Sequence, residues 1–432
     1  MILRASWVVP VSSPPIQNGE VVIEGATIAQ IRPASNRAPD FDFHDCAILP
    51  GLVNAHAHLE LAALVGKTTS SDFFEWIRGL VAAKNELTEE QWNRSVALGC
   101  ATMLLGGVTT VGDNTDTGRT AIGMAKAGLR GVVYQEAFGL GSTMDDQAIL
   151  NELEAKIDQH RQTIEQEGAT NLIEIGASPH ALYTVHDSLF RLILHRAQQR
   201  NWKLSIHASE SPAEMEWSLH ARGSFAQLYQ SRGLTWPSPS ATPIQYLNSI
   251  GALTDRTILA HCVHATEQDL DLIARSGAKI AHCPSSNALL SNGIAPMTTA
   301  IQRQSTVSIG LDGAVSCPHQ DLFAEARLAM NLQRSLHGPN APTERDWLKS
   351  ITLNGAKALG LDHVAGSIEP GKAADLSILR LPPAKGPDIE WAILNLATKR
   401  DTRSVMINGD WKATDGEIVQ EVAGRLNMPG HR

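Results

Sequence analysis

The sequence predicts an α/β protein built on a (β/α)8 barrel, and three observations carry that reading. Eight short apolar runs alternate with amphipathic stretches through the middle of the chain. Both ends read instead as short alternating strands with turns. Histidines and carboxylates recur where the apolar runs stop, which is the rim where a barrel gathers its βα loops.

Taken in order, residues 20–24 (EVVIE) and 27–31 (TIAQI) flank a Gly25-Ala26 turn and predict a hairpin. Barrel strands are expected over 51–60, 108–114, 131–138, 173–182, 203–210, 257–265, 278–287 and 306–313, each a short apolar run. Helices are expected between them, over 90–105, 148–167, 187–200, 267–276 and 321–336, where the apolar spacing suits one buried face. Residues 374–379 and 404–409 return to the strand pattern between Pro- and Gly-containing turns. The expected organisation is 1–50 as an N-terminal strand-rich part, 51–364 as the barrel, and 365–432 as a C-terminal strand-rich part.

A chain of 432 residues is long enough for one large barrel plus a smaller domain. Hydrophobic residues at 43% and charged residues at 19%, with no block of like charge, exclude a disordered chain. The formal charge of −9 and the scatter of Lys and Arg leave no footprint for nucleic acid. No run of about 18 apolar residues and no leader-like segment is present, so no membrane partner is expected and a cytoplasmic protein is. Cys46, Cys100, Cys262, Cys283 and Cys317 are an odd set without a C-x-x-C pair, which reads as reduced thiols used for packing.

The stretch VNAHAHLE places His56 and His58 two residues apart. On a strand such residues share a face, so both rings look into one space. Further along, His180 ends the fourth run, His207 and Glu210 the fifth, His261 and His264 the sixth, and Asp312 the eighth. Three neutral imidazoles and one carboxylate suit a borderline cation with an open position for water, so His56, His58, His207 and Asp312 are the expected ligands. A second ion would need a bridge such as a carboxylated lysine on the fourth strand, and residues 173–180 hold no lysine. One divalent ion is expected, Zn2+ first and Fe2+ as the alternative that imidazole also suits. Such an ion acidifies its water towards a pKa of about 7. Glu210 is then the proton shuttle, Asp312 holds the water and takes its proton, and His261 polarises the attacked group. His264 and His282 are expected beside the site rather than on the ion.

With these residues named, the chain resembles the metal-dependent amidohydrolase superfamily, in the branch of guanine, cytosine, adenosylhomocysteine and aminodeoxyfutalosine deaminases and the triazine hydrolases. The motifs are PGLVNAHAHLE (50–60), GVTTVGD (107–113), SPHALYTV (178–185), HASES (207–211), LAHCVHA (259–265), HCPSSN (282–287), GLDGAVS (310–316) and NGAKALGL…GSIEPGKAADL (354–376). The resemblance implies the same ligands and the same roles for Glu210 and His261, and it places His180 in the substrate pocket. It implies that the two chain ends fold together as a small composite β-sandwich, and that the protein is a homo-oligomer, a dimer being the expectation.

The expected reaction is hydrolytic deamination of an amino-substituted aromatic nitrogen heterocycle, of the adenosine or aminodeoxyfutalosine type or a related base, releasing ammonia. The alternative on the same site is displacement on a triazine, against which the presence of Glu210 argues. A non-catalytic scaffold is disfavoured because every ligand position is filled. In residues 66–80 (GKTTSSDFFEWIRGL) Trp76 is a candidate to stack on the substrate and Arg78 to meet an anionic group, although the same spacing suits a helix with its aromatics in the core. After GLDGAVS the chain reads Cys317-Pro318-His319-Gln320, where relatives carry asparagines.

Overall fold

A computed structural model describes residues 1–381 and 388–428. The C-terminal part expected over 365–432 therefore includes two stretches, 382–387 and 429–432, outside the described residues. Two sheets are present, one from the middle of the chain and one from both ends.

The barrel strands are Leu52–His58, Val108–Thr115, Arg130–Ala137, Ile173–Pro179, Leu204–Ala208, Thr257–His261, Lys279–His282 and Val307–Ile309, each hydrogen-bonded to the next in chain order. They are buried on both faces, which is why their sequences are apolar runs rather than alternations. Six of them stop two to five residues sooner than the apolar runs suggested. The residues beyond those ends leave the ladder to form the loops of the rim.

Closure of the barrel takes place inside the functional rim. The eighth strand is split: Val307–Ile309 pairs with the seventh strand, whereas Asp312–Gly313 pairs with the first through Asp312 to Ala57 and Gly313 to His58. Gly310 and Leu311 span the break, their N–H groups donating to His282 O and Asn54 Oδ1, both at 2.9 Å. A Cβ at Gly310 would lie 2.7 Å from His56 Cβ, so the close approach of the eighth strand to the first requires glycine there.

The second sheet joins Ile2–Val8, Ile16–Glu24, Thr27–Pro33 and Phe41–Pro50 to Leu376–Arg380, Thr402–Ile407, Asp410–Thr414 and Glu417–Ile418. Its seam is the antiparallel pairing of Phe41–Pro50 with Leu376–Arg380. Register breaks at Ala5/Trp7, Val22/Ile23 and Ile378/Leu379 let the sheet fold over itself. Val21 and Ile28 from one end thus share a single core with Ile378 and Met406 from the other, the small composite β-sandwich. Among the described residues two C-terminal segments depart from the strand pattern: Ile389–Leu396 and Gln420–Arg425 are helices, whose Ile389, Ile393 and Leu394, and Val422 and Ala423, enter the barrel's core.

The two units are stapled by a buried ion pair. Arg130, at the start of the third barrel strand, donates through Nε and Nη2 to Asp375 at 2.5 and 3.2 Å. Asp375 also accepts from the Asn408 N–H at 2.8 Å, so the pair is bidentate and hydrogen-bonded on both sides. Among the described residues no helix is long and apolar enough to cross a membrane. Removing one partner leaves a buried charge uncompensated, so Asp375→Ala is expected to lower the unfolding free energy by about 3–5 kcal/mol. Chemical denaturation measures it, and an unchanged midpoint would show that the pair is not the staple.

Candidate active site

The rim brings six of the expected side chains together. His56 and His58 come from the end of the first strand, His207 from the fifth, His261 from the sixth and Asp312 from the broken eighth, while Glu210 folds back from the loop beyond the fifth. One ring nitrogen from each of His56, His58 and His207 lies within 4.8 Å of the others. Asp312 Oδ1 is 3.6 Å from His56 Nε2 and 3.5 Å from His58 Nε2. Ligands on a tetrahedral zinc stand about 3.3 Å apart, from bond lengths near 2.0–2.2 Å, so the two Asp312 separations are those of ligands sharing one ion, while the histidine nitrogens stand within reach of a common point.

Tautomers support the fit. His207 Nδ1 lies 3.1 Å from His180 O, which can only accept, so Nδ1 carries the proton and Nε2 keeps a free lone pair. His56 Nε2 is buried without a hydrogen-bond partner. Burial also keeps these imidazoles neutral: it pulls His58 down to about 3 and His207 well below the usual histidine range. Asp312 Oδ2 accepts from Ser286 Oγ at 2.6 Å and Ser316 Oγ at 3.0 Å, which leaves Oδ1 turned to the histidines. Burial alone would raise the Asp312 carboxyl, but His56 Nε2 at 3.6 Å and the neighbouring His261 and His58 imidazoles outweigh it and hold it low.

Backbone strain is concentrated at this rim. His261 has φ 73°, Asp312 φ 52° and Ser209 φ 51°, left-handed conformations costly for residues with a Cβ. The ladder holds His261 and Asp312, with two serine hydrogen bonds on Asp312, and their side chains face the common centre.

Glu210 is only 5% exposed, not the solvated loop residue that SESPAE by itself could describe. Its Oε1 faces His261 Nε2 at 3.8 Å, and its Oε2 accepts from Tyr183 Oη at 3.2 Å. Burial raises its carboxyl, with His261 opposing and Asp312 adding to the rise. His261 Nδ1 meets Asn287 Oδ1 at 2.9 Å; the amide oxygen accepts, so Nε2 is the atom presented to Glu210. His180 Nδ1 is held by Thr184 Oγ1 at 2.9 Å, and its ring stacks on His207 with centroids 4.4 Å apart.

The centre opens into a cleft of about 1250 Å³. Its outer wall is the helix Phe73–Asn85, capped by Asp72 and packed through Phe73 and Phe74 on Phe225. Trp76 is a buried part of that wall: the stretch forms a helix over Phe73–Asn85, and Trp76 borders the cleft. Arg78 is exposed at the mouth, with Nε donating to Phe74 O at 3.4 Å. His264 lies outside the cluster, and His282 is buried with both ring nitrogens unpartnered.

Two cleft residues escaped the sequence reasoning. Glu136, on the third strand, is buried with Oε1 unpartnered and lies within 4.8 Å of ring nitrogens of His180 and His207. Its signal was the Gln135-Glu136 pair closing an apolar run. Lys84, at the end of the wall helix, reaches Asp116 at 2.7 Å beside it, and nothing in its helical spacing marks it as facing the cleft.

Fold and centre together define a metal-dependent hydrolase barrel, and the amidohydrolase family model matches residues 47–412. The chain belongs to the amidohydrolase family. It is 30% identical over 434 positions to a 5′-deoxyadenosine deaminase of Methanothermobacter thermautotrophicus, covering 94% of each chain. It is also 30% identical to a 5-methylthioadenosine/S-adenosylhomocysteine deaminase of Moorella thermoacetica, covering all of this chain and 99% of that one. An adenosine deaminase from Xanthomonas campestris, crystallised with bound zinc, superposes with a TM-score of 0.85 at 26% identity, covering 99% of this chain and 97% of that one.

The buried histidines set a pH dependence. Burial holds His180 and His282 down to about 3 and His160 to about 4. An unfolded imidazole titrates near 6.5, so below about that pH the unfolded chain binds protons that the folded chain does not. Stability is present above about 6.5 and lost as pH falls towards 4, by up to about 1.4 kcal/mol per pH unit for each group. The denaturant midpoint of the metal-free protein is expected to be lower at about pH 5.5 than at about pH 7.5, and an equal or higher midpoint would contradict the burial.

Proposed function

We propose that this chain is a metal-dependent hydrolytic deaminase of adenosine-type nucleosides, with 5′-substituted adenosines or aminodeoxyfutalosine-like compounds as the class to test. The observation that carries the reading is Glu210, a buried carboxyl with its pKa raised, 3.8 Å from His261 and beside three neutral imidazoles and Asp312. Relatives at 30% identity along nearly the whole chain, named as deaminases of 5′-modified adenosines, support it. A cleft at the large end of ordinary ligand sites leaves room for a nucleoside with a 5′ substituent.

In this reading His56, His58, His207 and Asp312 hold one divalent ion, zinc in the first instance. When bound, the ion supplies Lewis acidity and lowers the pKa of water. The protein's own groups do the rest. Glu210 receives a proton from the attacking water and delivers it to a ring nitrogen, which makes the amine-bearing carbon electrophilic. Addition of the oxygen there breaks aromaticity, and His261 Nε2 steadies the developing charge. Asp312 passes the second water proton to the amine, the C–N bond breaks, and ammonia leaves with a carbonyl in its place. His180 and Trp76 line the base pocket, and Arg78 stands at the mouth towards an anionic substituent. Displacement on a triazine would use the same centre, but a proton must reach a ring nitrogen before ammonia can leave, and Glu210 is placed for that task. A cytoplasmic homo-oligomer completes the reading, with five free buried cysteines in keeping with a reducing compartment.

Ammonia release from adenosine, 5′-deoxyadenosine, methylthioadenosine, adenosylhomocysteine and aminodeoxyfutalosine tests the reaction; none from any of them would overturn it. Glu210→Gln is expected to keep its metal and lose at least about 100-fold in kcat. Full activity in that variant would remove the shuttle from the mechanism.

A further inference from the structure

The loop after the eighth strand carries chemistry that the proposed reaction leaves unused. Cys317 and His319 lie on this loop, and Glu325 lies in the first turn of the helix Leu322–His337 that follows. Glu325 is fully buried, Cys317 is 1% exposed, and His319 opens to solvent. The three ligand-type atoms form a triangle: His319 Nε2 to Glu325 Oε1 is 2.9 Å, Cys317 Sγ to Glu325 Oε1 is 3.5 Å, and Cys317 Sγ to His319 Nε2 is 3.7 Å.

Bond lengths of about 2.3 Å to sulfur and 2.0–2.2 Å to nitrogen and oxygen give a zinc tetrahedron edges of about 3.6 Å from S to N or O and about 3.3 Å from N to O. The observed triangle matches one face of that solid within about 0.4 Å. A fourth position would be filled by water or by Ser285 Oγ, which lies 3.0 Å from His319 Nε2. A histidine–glutamate hydrogen bond alone explains the short edge but not why a buried thiol stands at both partners. Glu325 also needs a counter-charge: among the described residues it accepts, besides these two groups, only the Ser285 N–H, at 3.1 Å.

We propose that Cys317, His319 and Glu325 form a second divalent-metal site, for a zinc-class cation, separate from the catalytic centre. Binding releases the thiol proton and moves the imidazole proton from Nε2 to Nδ1. The 3.2 Å bond that Nδ1 accepts from the Asp321 N–H is then lost, and His319 turns Nδ1 to water. The ion ties the loop to the helix and to the Ser285 turn. Ser286 and Ser316, the serines that hold Asp312, belong to these same two segments, so the site braces the catalytic carboxylate from behind. The role is structural, and the count becomes two ions per chain.

Native mass spectrometry after dialysis against zinc, and in parallel cobalt(II) titration of the metal-free protein, test the proposal. The wild type is expected to carry two zinc ions, and cobalt at the second site to give a thiolate-to-metal charge-transfer band in the near ultraviolet. The histidine–aspartate centre has no sulfur and cannot produce that band. Cys317→Ser is expected to keep one ion and lose the band; His319→Ala, altered at a solvent-facing position, is expected to weaken the second ion at least tenfold. One ion in the wild type, or a band that survives Cys317→Ser, overturns the second site. Loss of both ions in the wild type would count against the catalytic centre as well, so the two readings fail separately.

Discussion

The structure depends on closing the barrel with a strand that is broken. Asp312–Gly313 pairs with Ala57 and His58 only because the eighth strand leaves its partner at Ile309 and crosses Gly310 and Leu311 to reach the first strand. The same crossing sets Asp312 Oδ1 3.5–3.6 Å from two histidines of that strand. Folding the barrel and assembling the centre are therefore one event. The strain in His261 and Asp312 is held by ladders that already exist for closure.

Burial then decides the electrostatics. The rim packs imidazoles against one another with ring centroids as close as 4.4 Å, and burial keeps His56, His58, His180 and His207 from taking a proton, whereas the carboxylates of Glu210 and Asp312 outweigh burial at His261 and raise it. Burial pushes the neighbouring carboxyls the other way: Glu210, Glu214 and Glu136 all rise, Glu214 to about 8. Neutral nitrogen donors for a cation thus sit beside carboxyls inclined to hold a proton. Asp312, surrounded by imidazoles and two serine hydroxyls, is the carboxylate driven to stay charged. A shared cavity therefore pushes two carboxyls apart, Asp312 down and Glu210 up, the separation that acid–base chemistry at neutral pH uses.

The cleft shows how a wall helix joins the site without belonging to the barrel repeat. Phe73 and Phe74 anchor Phe73–Asn85 on Phe225, and Lys84 at its far end reaches across to Asp116 near Glu136. The helix is held by aromatic packing at one end and an ion pair at the other. Its inner face therefore presents a mixed lining, apolar over Trp76 and charged over Lys84.

Much of this was legible in the residues alone. The eight strands, the five helices and the six converging side chains could be read because buried parallel strands are continuous apolar runs, and polar residues closing such runs have few places to go but the rim. Strand ends were overestimated at 261–265 and 282–287 because loops that turn inward stay apolar. His264 and Cys283 continue the pattern after the ladder has stopped. Glu136, Lys84 and the Cys317–His319–Glu325 triangle were not legible, since each depends on which side chains from distant segments face one another. Periodicity along the chain specifies which face of an element is buried, and in that sense the sequence by itself determined the barrel and the side chains that gather at its rim. Tertiary structure decided the tautomers, the raised Glu210 carboxyl and the cleft's lining, because these follow from distances across the barrel and from exclusion of water, which no local pattern encodes.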